Sequence, residues 1–520
     1  MEGDFSRITF NKSNQYSRVL MQQGRVLVDA DWNEQAEILN HALRTLITDL
    51  AGSHWGTVDG EMAIDAQNNA IQLTKLSSDS FKIGQLMKDN KPVPNDFSIN
   101  SGHYYVDGLL CVNEQVIAYS GQGGFPGNLE NSKKYLIYLE AWERPVSYIE
   151  DSNMREIALG MDGPDTAERT KVVWQVKTPA ATLAKELEGD LDAFPGQTPK
   201  ERVELIEALT QKLQGLAQPA NRGYIKARAK APITPPKDPC TISPDARYRG
   251  TENQLYRVEI HKSGNAGTAT FKWSRENGSV VFPILKLEGN AVLLGNLGRD
   301  DRLSLTPGDW VEIVNDDYIL QISGDLDGKA NPLLQVVDVD NINMLVTLSG
   351  KPGANLSDDQ SKHPLLRRWD QKGGTGKRGD PPKLSTDGSG TVIIQEAQAS
   401  NPDTNWITLE DGIQIQFQRP SAATQPSNAM YRTGDYWLIP ARTVTGDLLW
   451  PQQAGVDDQS PPVPMALPPN GVDHHYALLA IVPIDANGNA GDANDPIIDL
   501  RYLVPPLGKA LALVLQFPTT

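Results

Sequence analysis

From Trp32 to Leu50 the apolar residues fall three or four positions apart, with Ala36, Leu39, Leu43, Leu46 and Leu50 following the tryptophan. That spacing draws one stripe along an α-helix, and Gly52 just past it is a natural stop. Residues 1–28 read instead as short extended pieces, with Val26 and Val28 alternating once before the pattern breaks. From about residue 56 the period changes to two. "SGHYYVDGLLCVNEQVIAYS" holds two alternating runs around a turn, and "KKYLIYLEAWERPV" and "TKVVWQVK" read as strands. Two amphipathic runs then interrupt the β text. In the second, "TPKERVELIEALTQKLQGLA", Pro199 behind Thr198 suits a first helical turn, and Val203, Ile206, Leu209 and Leu213 share a face. "APITPPKDPC" follows as a proline-rich, semi-rigid connector.

The β pattern returns over 245–350. "TATFKWSRENGSVVFPI" predicts a hairpin around Asn277-Gly278, with Ala269, Phe271 and Trp273 on one face and Thr270, Lys272 and Ser274 on the other. "TPGDWVEIVND" adds a strand and "LLQVVDVDNINMLVTLSG" a second hairpin, at turn spacings that suit a barrel or sandwich. Residues 351–405 read as long loops with a strand at "TVIIQ"; "ITLEDGIQIQFQ", "YRTGDYWLIPART" and "HHYALLAIVPI" are further strands, and "ALALVLQF" closes the chain. The fold class predicted is mainly β: several small β-sandwich or barrel modules, one N-terminal helix and a helical insertion. The expected divisions are 1–55 (extended segment plus helix), 56–179 (first β domain), 180–240 (insertion and connector), 241–350 (second, barrel-like β domain) and 351–520 (loop-rich C-terminal β domain).

Composition narrows the function classes. A chain of 520 residues exceeds what one core usually serves. Its net charge of −17 repels phosphate backbones and anionic headgroups, so nucleic acid is not an expected partner. Gly (44) and Pro (36) supply tight turns between short strands. Cys111 and Cys240 lie far apart and outside any C-x-x-C pattern, which excludes a disulfide framework and favours a reducing compartment. The first residues lack a basic segment before an apolar core, and the longest apolar runs are too short for a bilayer. Cytoplasmic assembly, with neither signal peptide nor transmembrane helix, is the expectation.

Candidate chemistry is sparse. Asp29, Asp31 and Glu34 could bind metal or form an acid/base pair, but Asp31 followed by Glu34 has the spacing of a capping box, and a divalent ion would need more oxygen ligands. A cap is predicted. The loop from Asp485 has Ala490 where a calcium loop needs Gly and Pro496 where it needs Glu, so a polar hairpin loop is expected. "GGTGKRGD" from Gly373 lacks phosphate-loop spacing, and its RGD tripeptide at 378–380 carries little alone. His474 and His475, adjacent in a strand, point to opposite faces; one is expected buried and hydrogen-bonded, the other in solvent. No G-x-S-x-G occurs, Cys111 in "LLCVN" suits a buried inert thiol, and Asp300/Asp301 and Asp316/Asp317 sit in turn contexts. Catalytic, cofactor-binding and metal residues are therefore predicted as none, and the chain as no enzyme.

Seven phrases together resemble one family: "GDFSRITF", "YSRVLMQQGRVLVDADWNEQ", "MREIALGMDGPDTAERTKVVWQVK", "ENQLYRVEIH", "TFKWSRENGSVV", "HPLLRRWDQ" and "GDYWLIPART". They are similar to an uncharacterised bacterial domain family encoded beside contractile injection systems, the phage-tail-like particles with sheath, tube and baseplate. The resemblance runs from the first residues to "HHYALLAIVPI" and leaves the helical text at 180–217 unmatched. It implies a structural part in or around the baseplate, in several copies, whose partners are baseplate or sheath and tube-end subunits, with membrane contact only through the assembled particle. Tyr16, Arg18, Arg25 and Trp32, within the second phrase, are its candidate interaction residues. Two other readings stand beside it. One is a target-surface or glycan-binding fibre or spike-side module; the other is a cargo glycan hydrolase, which needs a carboxylate pair in a groove.

Overall fold

The computed structural model describes residues 1–57, 63–64, 71–72, 78–123, 127–160, 165–179, 181–194, 198–217, 221–229, 247–298, 300–324, 330–353, 356–376, 381–398, 401, 404–420, 429–454 and 462–504. The proline-rich connector, Cys240, the RGD tripeptide and the terminal apolar run lie outside them. The described chain is mainly β, with helices α1 (Asp29–Ala51), α2 (Ala181–Ala193), α3 (Pro199–Ala217) and α4 (Asp316–Gly324).

The strand Lys133–Val146 organises the N-terminal sandwich. It pairs antiparallel with Arg169–Lys177 on one side and His475–Ile484 on the other. Its inner residues Ile137, Leu139 and Ala141, with Ala477, Leu479 and Val482, pack on the hairpin Gly102–Val106/Leu109–Asn113 through Tyr104, Val106, Leu109 and Cys111. Burial pushes the Cys111 thiol up to about 12, which leaves it an inert core residue. The outer row of the same sheet, Leu136, Tyr138, Tyr476, Leu478 and Ile481, is covered by α2 and α3 through Leu187, Leu191, Phe194, Leu209 and Leu213. A strand covered on both faces must be apolar almost throughout, and "YLIYLEAW" is. Thr198 and Glu201 close a capping box at α3: the Thr198 amide donates to Glu201 Oε2 at 2.7 Å, and the Glu201 amide donates to Thr198 Oγ1 at 3.4 Å. On the predicted face of α3, Leu209 and Leu213 are buried and Ile206 partly so, while Val203 stays exposed.

A second sandwich faces the sheet Val392–Ile393, Thr270–Ser274, Gln254–Lys262, Tyr436–Arg442, Asp447–Leu448 against the sheet Tyr224–Ala229, Ile413–Gln418, Ile407–Thr408. Trp273, Trp437, Phe271, Phe417 and Tyr431 fill its centre. A closed six-stranded barrel follows, from Val281–Glu288 round to Leu365–Trp369, with Phe282, Ile284, Val292, Ile313, Val346 and Leu366 inside.

Three expectations are corrected here. Asn277 and Gly278 do turn at positive φ (49° and 71°), but no hairpin surrounds them. Thr270–Ser274 pairs with Gln254–Lys262 and Val392–Ile393, and Val281 starts the barrel beside Leu365–Trp369, so the turn hands the chain from sandwich to barrel. Second, sheets cross the linear divisions. His475–Ile484 completes the sandwich of 56–179, Tyr224–Ala229 pairs with Ile413–Gln418, and Tyr436–Arg442 pairs with Gln254–Lys262. Third, Asp316 and Asp317 open a helix rather than a turn; Asn315 caps it by accepting from the Tyr318 amide at 2.9 Å.

Candidate functional site

The N-terminal arm is laid down residue by residue onto charged anchors. Arg367 Nη1 donates to Glu2 at 2.8 Å, and Asn277 Nδ2 donates to the carbonyls of Met1 (3.1 Å) and Gly3 (3.0 Å). Arg442 Nη2 then donates to the Ser6 carbonyl at 2.6 Å. Beyond it the chain folds back on α1. The Ser6 amide donates to Asp29 Oδ2 (2.8 Å), the Thr9 hydroxyl to Glu34 Oε2 (2.7 Å) and the Val19 amide to Gln35 Oε1 (2.8 Å).

These bonds overturn the predicted cap. The helix begins at Asp29, Val28 occupies the N-cap position, and no side chain bonds there. Glu34 is turned to Thr9 instead, because the arm folded back along the helix offers it a partner. Asp29 and Asp31 still lie in the first turn, where the helix dipole favours them. Burial raises the Asp29 carboxyl, but its bonds from Ser6 outweigh this and hold it below the usual carboxylate range.

The arm fixes α1 with its polar side down. Ala30 and Ile38 are buried, Arg44 Nη2 meets Glu143 at 2.7 Å, and the Arg44 backbone lies over Gly108, where an added Cβ would sit 3.0 Å from Arg44 Cα. A stripe such as that from Trp32 to Leu50 ordinarily faces a core. Here Trp32, Leu39, Leu43, Leu46 and Leu50 are 54% to 78% exposed. Leu20, Met21, Val26 and Leu27, on the segment leading into the helix, are exposed as well. Tyr16, Arg18, Arg25 and Trp32 all lie exposed on this same arm. The leucines are not among the four candidate residues, although the polar residues on the far side of the helix, Glu34 and Arg44, were the available signal.

Beneath the arm lies a buried ionic hub. Lys272 Nζ sits 2.5 Å from Glu312 and 3.3 Å from Glu259, and Arg257 Nε donates to Glu259 at 2.5 Å. Glu312 also accepts from Tyr318 Oη (2.7 Å) and Trp369 Nε1 (2.9 Å). Burial alone would raise both carboxyls. Arg257 and then Lys272 bring Glu259 to about 2, and Lys272 holds Glu312 below the usual range. His261 is buried in the same region with its Nδ1 unpartnered among the described residues, and burial, then Lys272, lowers it to about 4.

A pH effect follows with a definite sign. The unfolded imidazole binds a proton below about 6.5 and the folded one only below about 4, so stability is full above 6.5 and falls as pH drops through that window. His261→Gln should flatten the window, by up to about 3 kcal/mol at its acid end, in urea titrations from pH 7 to 4. Parallel pH profiles for both proteins would disprove the assignment.

Other charged groups neutralise one another. Glu150, Asp316 and His363 bring potential ligand atoms within 4.8 Å of one another. However, the Arg144 guanidinium donates to both Glu150 oxygens and lies 4.0 Å from Asp316, and His363 Nδ1 is 2.8 Å from Asp316, so a cation is already supplied. His474 lies 2.7 Å from Glu140 and His475 2.9 Å from Asp107. The two imidazoles do diverge, but each finds a carboxylate, which corrects the expectation that one faces solvent. Asp485 folds its loop, accepting from the amides of Asn487 (2.7 Å) and Asn489 (2.8 Å).

Fold and site together define a multi-module β protein carrying a clasped N-terminal arm with an outward apolar helix face. The chain belongs to a family of unknown function (DUF6519), whose model matches residues 1–196 and 195–493. No curated protein and no solved structure matches it. Among the described residues, no helix is long and apolar enough to cross a membrane.

Proposed function

We propose that the protein is a structural component of a contractile injection particle, standing in or around the baseplate and acting through protein–protein interfaces rather than catalysis. The observation that carries this reading is the string of phrases from "GDFSRITF" to "GDYWLIPART". The geometry supports an interface role. The phrases supply Arg257, Glu259, Asn277, Arg367 and Tyr436, which surround the arm's first residues. What they anchor displays an apolar surface of the kind that marks contact sites.

On this reading its partners are baseplate or sheath and tube-end subunits, met in several copies after assembly in the cytoplasm. The net charge of −17 argues against nucleic acid as a ligand. Membrane is reached only through the completed particle. The test is mass spectrometry of purified particles, where the chain should appear in fixed ratio to a baseplate subunit. Particles of normal length and sheath content that lack it would end the proposal.

A further inference from the structure

We infer that the exposed face of α1 is a coiled-coil seam that pairs with a second copy of this chain. The register is the first argument. Trp32, Ala36, Leu39, Leu43, Leu46 and Leu50 alternate steps of four and three, which places them at successive d and a positions of a heptad. A helix packed on a globular core has a broader stripe with a 3.6 period, whereas a strict a/d row is the narrow seam of helix on helix.

The body respects the same register. Ala30, Glu34, Ile38 and Arg44, which are buried or bond the arm or body, fall at b, c and f positions on the back of the helix, while Asp29, at the a position before the seam begins, and Gln35, at g on its flank, bond Ser6 and Val19 of the arm. From Trp32 to Leu50 the a and d side chains are exposed, so a second helix can approach along that face.

Charge selects the occupant. With a net charge of −17, two copies repel except where charge is absent. The seam is flanked by Asn33, Asn40 and Ile47 at e and by Gln35, Ala42 and Asp49 at g, so Asp49 is the single charge. In a parallel pair, Ala42 faces Ile47 of the other copy, and Gln35, whose Oε1 holds the Val19 amide of its own chain, lies beside Asn40, with no like charges opposed. A seam specifying a different partner helix would use complementary e and g charges; this one has none to offer.

The size is adequate. The seam runs about 27 Å along the helix, and covering its exposed side chains on both copies removes on the order of 1,200 Å², the lower bound of a specific interface. Short isolated helices are marginal, but α1 is already held by Asp29, Glu34, Gln35 and Arg44, so little ordering remains to oppose association.

This inference does not depend on the particle assignment, and its test uses the purified full chain. Sedimentation equilibrium over a wide concentration range should give a multiple of the 56.9 kDa monomer mass. The double variant Leu43→Glu/Leu46→Glu should be monomeric with unchanged circular dichroism and melting temperature, because both side chains are exposed in the single copy. Thr45→Glu, at a c position, should associate like the wild type. A wild type that stays monomeric, or an oligomer that survives the double variant, would overturn the inference and give the seam to a different occupant.

Discussion

Replacing Lys272 with methionine should lower stability by about 3–5 kcal/mol, the usual effect of breaking a fully buried ion pair from one side. The methionine fills most of the volume, so little of the loss comes from a cavity. It comes from Glu312, which is buried and loses the ammonium beside it, keeping the Tyr318 hydroxyl and Trp369 N–H as neutral donors. Glu259 suffers less, because Arg257 remains. Lys272 stands on the second sandwich and Glu312 on the barrel strand Trp310–Val314, so the pair also ties two modules together. Urea unfolding should therefore move to lower concentration and separate toward two transitions. Adding Glu312→Gln removes the stranded charge while keeping an acceptor for Tyr318 and Trp369, and should restore part of the loss. A single variant within about 1 kcal/mol of wild type, or a double variant no better than the single, would refute this account.

The sequence made local features legible and left their partners hidden. Period and turn chemistry located α1, the hairpin at Asp107-Gly108 and the strand Lys133–Val146. The same text cannot say that the neighbour of Lys133–Val146 is His475–Ile484, because alternation fixes which face is apolar and not which edge is met. Asn277-Gly278 shows the point most sharply: its positive φ was readable, but a turn of that kind does not require its flanking strands to pair. The arm was half legible. Tyr16, Arg18, Arg25 and Trp32 lie in a phrase singled out for contacts, whereas the leucines beside them read only as a helical stripe. An amphipathic stripe records that one side of a helix avoids water, and the partners of Glu34 and Arg44 reveal that the arm and the body took the other side. The hub was invisible for a related reason. Glu259, Lys272 and Glu312 sit on three strands, each in the middle of an unremarkable alternation, and pairwise proximity of buried charges leaves no trace in spacing.

The helical insertion should prove structural rather than decorative, although it is the stretch that the family resemblance leaves unmatched and the family model divides at 195–196, between α2 and α3. Leu209→Asp with Leu213→Asp should lower stability by at least about 4 kcal/mol, since each leucine is buried and each replacement adds a charge to what it removes. The physical reason lies in the sheet beneath. Its outward row is apolar at Leu136, Tyr138, Tyr476, Leu478 and Ile481 where the helices lie, and changes to Glu140, Lys177 and His474 just beyond them. Such a row is tolerable only while covered. With α2 and α3 detached, five large side chains of a central sheet face water, so the variant should bind a hydrophobic dye, aggregate on warming and become cleavable within 181–217 by limited proteolysis. The circular dichroism of the β modules should persist at low temperature, because the inner core around Leu139, Leu479 and Val482 is untouched. A variant with wild-type melting temperature and no dye binding would show that the helices merely rest on the sheet. Any related chain that lacks the insertion must carry polar residues at the positions equivalent to these five, or another element must cover them.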